Sequence, residues 1–468
     1  MNGTRNTQYA LLAILLAGFF LRFHDLARQS LWLDEAYTWD MIVSHDWAGV
    51  WGAMLYWSNV SPLSYVLTKL ILPVFGANEF TLRLPGAFFG WLAIPVVYRL
   101  GQALFDRRVG LAAAAFVAFS PFAVWYAREA RAYGLYLFLS ALALWGFVRA
   151  ERGRGWAFYI LASAALYITH YISALYVYAQ AVYILTQLRR QPALLRRWSL
   201  AQLPAVAPAA VWVIAFLSQR RLISAMDWIP AATLFTPLQT LWNFVSGDAA
   251  QPSPPVVVGS LVLLGLLAWG ARSRSSQAQL LSWWLVLPLA TAWLFSLRKP
   301  SYVDRYFEPA ILSVALLVAI GILSLPGWAR RVSVMLTVGG LLFASARLSV
   351  DPKFAKEDWR GGAQMIAAKG LPVSVPDPES PLALSPYISP TYVLTRTEDE
   401  LSRQAATGPF VLVLRSPHES AHALSKSAPF EPRTEGPPFF RQWLANNPAA
   451  PLEIHSFTGF ALIVIGEK

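Results

Sequence analysis

Apolar runs long enough to cross a lipid bilayer, joined by short basic connections, leave this chain few possible folds. A spanning helix needs about 20 mainly apolar residues. Runs near that length occur at Tyr9–Phe23, Phe80–Ala103, Gly110–Tyr126, Ala132–Val148, Trp156–Thr169, Tyr171–Leu188, Leu200–Leu217, Val256–Ala271, Leu280–Leu297, Phe307–Leu325 and Val332–Ala346. They predict a polytopic α-helical membrane protein with about eleven transmembrane helices. Composition agrees: 56% of the residues are hydrophobic and 14% charged, whereas soluble domains carry about 25% charged residues.

The basic residues set the orientation. With the N-terminus inside, Arg107-Arg108, Arg149/Arg152/Arg154, Arg189-Arg190 with Arg196-Arg197, Arg272/Arg274 and Arg330-Arg331 all fall on inside connections, as the positive-inside rule requires. The run from Pro62 to Phe75 carries Lys69 in its middle and is short for a span. Counting it as one would move every basic cluster outside, so it reads as a juxtamembrane helix on the outer surface. An odd number of spans then leaves the C-terminal segment outside. From about Asp351 the Pro, Ser and charged content rises. Lys356–Ala368 and Glu398–Ala406 read as helices, Phe410–Leu414 and Phe460–Ile465 as strands. The expected organisation is a transmembrane domain over 1–350, including a first outer loop at about 24–79, and a small α/β domain over 351–468. No cleavable signal peptide is evident. The inner (plasma) membrane is the expected location, with a cytoplasmic N-terminus and a periplasmic or extracellular C-terminal domain.

The first outer loop holds the densest chemistry. Ser30 to Asp40 reads S-L-W-L-D-E-A-Y-T-W-D. Asp34 and Glu35 sit where the chain first leaves the membrane, among Trp and Tyr that favour the interface. Carboxylates against aromatic surface lose hydration and can be tuned as bases; an ordinary solvated loop is the other reading. Outside arginines oppose the general charge trend. Arg128, Glu129 and Arg131 lie in W-Y-A-R-E-A-R-A-Y, beside Tyr126, and Arg305 and Tyr306 lie in D-R-Y-F. Arg at headgroup depth suits a phosphate, because its planar fork offers five donors; snorkelling is the alternative. For Arg220, Arg221 and Arg298, snorkelling is favoured. His170 sits in the outer turn I-T-H-Y-I-S as a substrate donor, a metal ligand or a structural residue. The chain has no Cys, which excludes disulfides, thiol nucleophiles and thiolate-bound metals. No HExxH, Walker A, GxGxxG or nucleophile-elbow motif occurs. A divalent cation stays open, with Asp34 and Glu35 as the acids to hold it. Carboxylates that take a proton and arginines that hold a phosphate suggest group transfer from a lipid-linked phosphate.

The order of these motifs resembles the C-type membrane glycosyltransferases. The similarity is to the branch of protein O-mannosyltransferases and the aminoarabinose transferases that act on lipid A. It rests on L-D-E-A, S-P-L-S-Y-V-L-T-K-L, R-L-P-G-A-F-F-G-W-L-A-I-P-V-V-Y, S-P-F-A-V-W-Y-A-R-E-A-R-A-Y, T-H-Y, D-R-Y-F-E-P-A and K-E-D-W-R-G-G-A. The resemblance implies transfer of a single sugar, hexosyl or pentosyl, from a polyprenyl-phosphate donor to an acceptor hydroxyl on the outer face, with inversion. It implies Asp34 as general base, Glu35 as the second acid, and Arg128, Arg131, Arg305 and Tyr306 at the donor phosphate. Glu129, His170, Lys69 and Tyr126 would complete the pocket. The acceptor would be a lipid, glycan or protein in the cell envelope; membrane lipids are partners and nucleic acid is not. Family members often have two prolines where this chain has Ser61-Pro62, and Val60 stands near a position where the aminoarabinose enzymes have Lys. The competing readings are a transporter or flippase of a lipid-linked saccharide, which needs charges well inside its spans, and a non-catalytic scaffold.

Overall fold

A computed structural model describes residues 2–56, 61–218, 229–247, 254–389, 391–415, 431 and 436–466. The chain forms two compact units: Met1–His24, Trp47–Gly76 and Thr81–Leu348 make the first, and Asp25–Asp46, Ala77–Phe80 and Ser349–Lys468 the second.

The first unit is helical. It contains α1 (Asn2–Phe23), then α3 (Trp47–Tyr56), α4 (Pro62–Phe75), α5 (Glu79–Leu104), α6 (Arg107–Phe119), α7 (Pro121–Ala127) and α8 (Tyr133–Glu151). It continues with α9 (Trp156–Tyr167), α10 (Ser173–Gln187), α11 (Pro192–Ser218), α12 (Thr236–Ser246), α13 (Pro254–Ala271) and α14 (Ser276–Ser296). A 3-10 turn, Asp304–Ala310, leads into α15 (Ile311–Leu323) and α16 (Gly327–Val350), while α2 (Leu33–Val43) belongs to the other unit. Among the described residues, six helices are long and apolar enough to cross a membrane. A seventh candidate is the pair α6 and α7, bent by 58°. The sequence reads this pair as one span, Gly110–Tyr126. The chain breaks there because Ser120 leaves the helix and its hydroxyl accepts the Ala123 N–H at 3.3 Å. Pro121 follows at the first helical position, where its missing N–H costs nothing. The expected juxtamembrane helix from Pro62 is α4, ending at Gly76 with φ 73°.

The second unit is built on a five-stranded sheet in the order β2-β1-β3-β5-β4. The strands are β1 (Val373–Val375), β2 (Tyr392–Leu394), β3 (Phe410–Arg415), β4 (Leu452–Phe457) and β5 (Phe460–Ile465). β1 runs parallel to β2 and β3, while β5 is antiparallel to both β3 and β4. β5 reads F-A-L-I-V-I because both of its faces are covered. Phe460, Leu462 and Val464 pack with α17 (Trp359–Lys369) and α18 (Glu379–Leu384). Ile463 and Ile465 pack with α19 (Glu398–Thr407) and α20 (Pro438–Asn446). Gly362 sits where a Cβ would lie 2.6 Å from the Phe460 ring, so α17 can lie this close to the sheet only with glycine there.

One expected boundary is corrected. Residues 25–46 and 77–80, assigned by sequence to the transmembrane domain, belong to the second unit. The cause is α2 (Leu33–Val43), whose Leu33 and Ala36 are buried in one apolar cluster with Trp359, Ala363, Ala383 and Leu384.

Candidate functional site

In the second unit, Asp34 and Glu35 lie in the first turn of α2, where carboxylates are stabilised by the helix dipole. Their side chains part company. Glu35 is fully buried, and its carboxylate meets Lys356 Nζ at 3.1 Å and accepts the Trp32 N–H at 3.4 Å. Glu35 therefore anchors α2, which corrects its expected place at the acceptor or a cation. Asp34 is half-exposed. One helical turn on, Tyr37 is 43% exposed. Its hydroxyl pKa is raised by desolvation first, then by Glu379 and Asp34. Asp34 is thus the acid of the pair that solvent reaches.

The other expected residues lie in the first unit. His170, between α9 and α10, is enclosed by aromatic rings without being sealed from solvent. It stacks on Tyr136 at 4.7 Å and on Tyr171 at 5.0 Å, and Tyr306 lies 5.3 Å away. Desolvation, then Arg131, then Arg305 push its pKa down to about 3. Both arginines therefore act on one neutral imidazole. Arg305 is 5% exposed, with its guanidinium 6.0 Å from the Tyr306 ring. Its turn is held by α12: Asn243 donates to Asp304 at 2.8 Å, and the Thr240 and Tyr302 hydroxyls bond at 2.9 Å.

Two more of the expected site residues are tied into the surrounding fold. Arg128 donates to the carbonyls of Leu21 at 3.2 Å and His24 at 2.9 Å. It satisfies acceptors left over at the end of α1. Tyr126 is 1% exposed and packs edge-on against Phe122 and Tyr133; it is core, because α7 turns that face inward. Lys69 is half-buried on α4. Arg220, Arg221 and Val60 lie outside the described residues. Among the described residues, no group of three or more His, Asp or Glu is placed to hold a metal ion.

Residues 59–219 match the family model described as dolichyl-phosphate-mannose-protein mannosyltransferase. A Pseudomonas fluorescens undecaprenyl phosphate-alpha-4-amino-4-deoxy-L-arabinose arabinosyl transferase is 28% identical over 341 residues, covering 67% of this chain and 59% of its own length. The chain spans about three fifths of that relative. Crystal structures of ArnT from Cupriavidus metallidurans superpose at 14% identity: the apo form with a TM-score of 0.64 over 99% of this chain and 98% of its own, the undecaprenyl phosphate-bound form with 0.62 over 97% of each. The chain is thus similar to the protein mannosyltransferases over residues 59–219 and to the aminoarabinose transferases over two thirds of its length, and it shares the fold of ArnT. It is a multi-pass membrane protein.

The motifs that carry the resemblance have physical roles in the fold. In R-L-P-G-A-F-F-G, Gly86 brings the α5 backbone onto the arginine-bearing turn: a Cβ there would lie 2.8 Å from the Glu129 carbonyl and 2.9 Å from that of Ala127. K-E-D-W-R is a clasp for the first outer loop within the second unit. Lys356 pairs with Glu35, and Glu357 accepts the Leu33 N–H at 3.2 Å and the Trp359 indole N–H at 2.6 Å. Asp358 caps α17, and Arg360 donates to the carbonyls of Arg28 and Ala27 and to Glu79. Sequence reasoning used this motif only as a marker. Arg22 and Glu308, both fully buried in the first unit, were passed over altogether. Their signal was a charge flanked by apolar residues at a helix end.

Proposed function

We propose that this protein transfers one sugar from a polyprenyl-phosphate donor to an acceptor hydroxyl at the outer face of the membrane, with inversion. The observation that carries the reading is the aromatic wall around His170, with Tyr306 5.3 Å from its ring and the Arg305 guanidinium 6.0 Å from Tyr306; the field of Arg131 and Arg305, which lowers the His170 pKa after desolvation, makes this a place suited to a phosphate. Two fixed arginines stabilise the charge that grows on the leaving phosphate. The His170 Nδ1 accepts the Ile172 N–H at 3.3 Å, so Nε2–H remains a donor. The sugar's anomeric carbon loses its bond to the phosphate oxygen and gains one to the acceptor oxygen. The acceptor proton goes to Asp34, and polyprenyl phosphate leaves. Arg128 acts indirectly in this scheme, through the end of α1. The fact that one structural neighbour, ArnT, was crystallised with undecaprenyl phosphate supports the donor class. The arrangement of about eleven spans, with Asp34, Arg131 and Arg305 all outside, follows from the basic connections.

The test is turnover of a panel of polyprenyl-phosphate sugars by the purified protein. Asp34→Asn keeps size and hydrogen bonding but takes no proton, so turnover should fall about 100- to 10,000-fold with donor binding kept. Arg305→Lys keeps charge but loses the planar fork, so donor affinity should fall. Near wild-type turnover by Asp34→Asn rules out this base. Transport of a lipid-linked sugar without turnover would establish the flippase reading instead.

A further inference from the structure

Arg22 is a buried charge that the scheme above leaves unused. It lies in the last turn of α1 and is 0% exposed. A charged residue at membrane depth is expensive and is kept for a partner or a function. The partners of Arg22 are backbone carbonyls at the bend between α6 and α7. An α-helical carbonyl takes the N–H four residues on. For Val117 that residue is Pro121, which has no N–H. For Ala118 it is Phe122, which lies past the break at Ser120. The Arg22 guanidinium donates to both carbonyls, at 3.0 Å to Val117 and 2.9 Å to Ala118. The flanking carbonyls are taken as well. That of Phe116 accepts the Ser120 N–H at 2.8 Å, and that of Phe119 accepts the Ser345 hydroxyl of α16 at 2.8 Å. The last four carbonyls of α6 are thus accounted for, and two of them depend on Arg22.

The exchange is mutual. Arg128, directly after α7, donates to the Leu21 and His24 carbonyls at the end of α1, so each helix end is capped by an arginine from the other. α5 closes the arrangement with two glycines one helical turn apart. A Cβ at Gly90 would lie 2.6 Å from the Ala127 Cβ and 3.5 Å from Arg22 Nε, and one at Gly86 would lie 2.8 Å from the Glu129 carbonyl. The 58° bend aims α7, and the chain leaving α7 carries Arg131 three residues after Arg128. We infer that Arg22 is a positioning residue: by satisfying the carbonyls that Pro121 leaves open it fixes the bend, and with Arg128 it fixes the turn that presents Arg131 to the donor phosphate. The inference rests on the donor-phosphate reading of Arg131.

The experiment measures polyprenyl phosphate binding and donor KM and kcat for the full chain in detergent, with thermal unfolding to show which variants fold. The variants are Arg22→Met, which removes the donors, and Arg22→Lys, which keeps the charge but loses the planar fork that reaches two carbonyls at once. Arg22→Met should weaken polyprenyl phosphate binding about tenfold, the scale at which residues away from a ligand modulate affinity. Its donor KM should rise by more than kcat falls, and Arg22→Lys should lie between it and wild type. A purely structural role predicts the opposite split: less folded protein lowers apparent kcat and leaves KM as it was. Arg22→Lys carries the test alone if Arg22→Met does not fold. A folded variant that binds polyprenyl phosphate like wild type, or a loss confined to kcat, overturns the inference. Wild-type protein with no saturable polyprenyl phosphate binding overturns the donor reading itself, and the inference with it.

Discussion

His170 shows how one residue's surroundings fix its chemistry. Held neutral by desolvation and by two arginines, it offers a hydrogen-bond donor and no proton to shuttle near neutral pH. The same environment links it to stability. An imidazole in an unfolded chain takes up a proton near pH 6.5, while the folded one resists down to about pH 3. Between those values the unfolded state binds more protons, so stability falls as pH drops through that window and is fully present above it. Partial exposure of the ring softens the effect. Replacing His170 by Phe keeps the stacking and removes the titration. Unfolding midpoints at pH 7.5 and 4.5 should differ less in His170→Phe than in wild type; equal differences would assign the acid sensitivity to other groups.

At the scale of elements, α2 is held by side chains far along the chain. The pair Glu35–Lys356 is nearly sealed, with the two side chains 0% and 9% exposed. Removing one partner strands a buried charge, at a cost of about 3–5 kcal/mol. Lys356→Met should therefore unfold at lower temperature and speed hydrogen exchange along residues 33–43. Adding Glu35→Gln should recover part of the loss. Exchange in α2 unchanged by Lys356→Met would mean that the apolar contacts of Leu33 and Ala36 hold the helix by themselves. The same clasp explains why the acidic pair divides its work. Glu35 faces inward three residues after the helix cap, and Asp34, one position earlier on the turn, does not.

For the whole molecule, the proposed topology puts the second unit outside and the connection after α13 inside. This Cys-free chain suits cysteine labelling. Ser374 is buried in β1, so the exposed Ser402 on α19 and the exposed Ser273 are the positions to use. An impermeant thiol reagent applied to intact cells should label Ser402→Cys and leave Ser273→Cys unmodified. The reverse pattern would invert the topology and move the proposed chemistry to the other side of the membrane.

Much of this was written in local sequence. Long apolar runs identify membrane helices because lipid gives backbone groups no other partner. An apolar run of six residues at 460–465 marked β5, an interior strand covered on both faces. The motif order placed Asp34, Arg131 and Arg305 in one family pattern. Other features depended on contacts between distant residues, which no local pattern records. Leu33 and Ala36 share a core with residues more than 300 positions later, and that burial assigns residues 25–46 to the second unit. Lys356 decides that Glu35 is an anchor, and the open carbonyls at the end of α1 decide that Arg128 is a cap. A charged side chain's role is set by what neutralises it, and in these three cases the neutralising group comes from elsewhere in the fold.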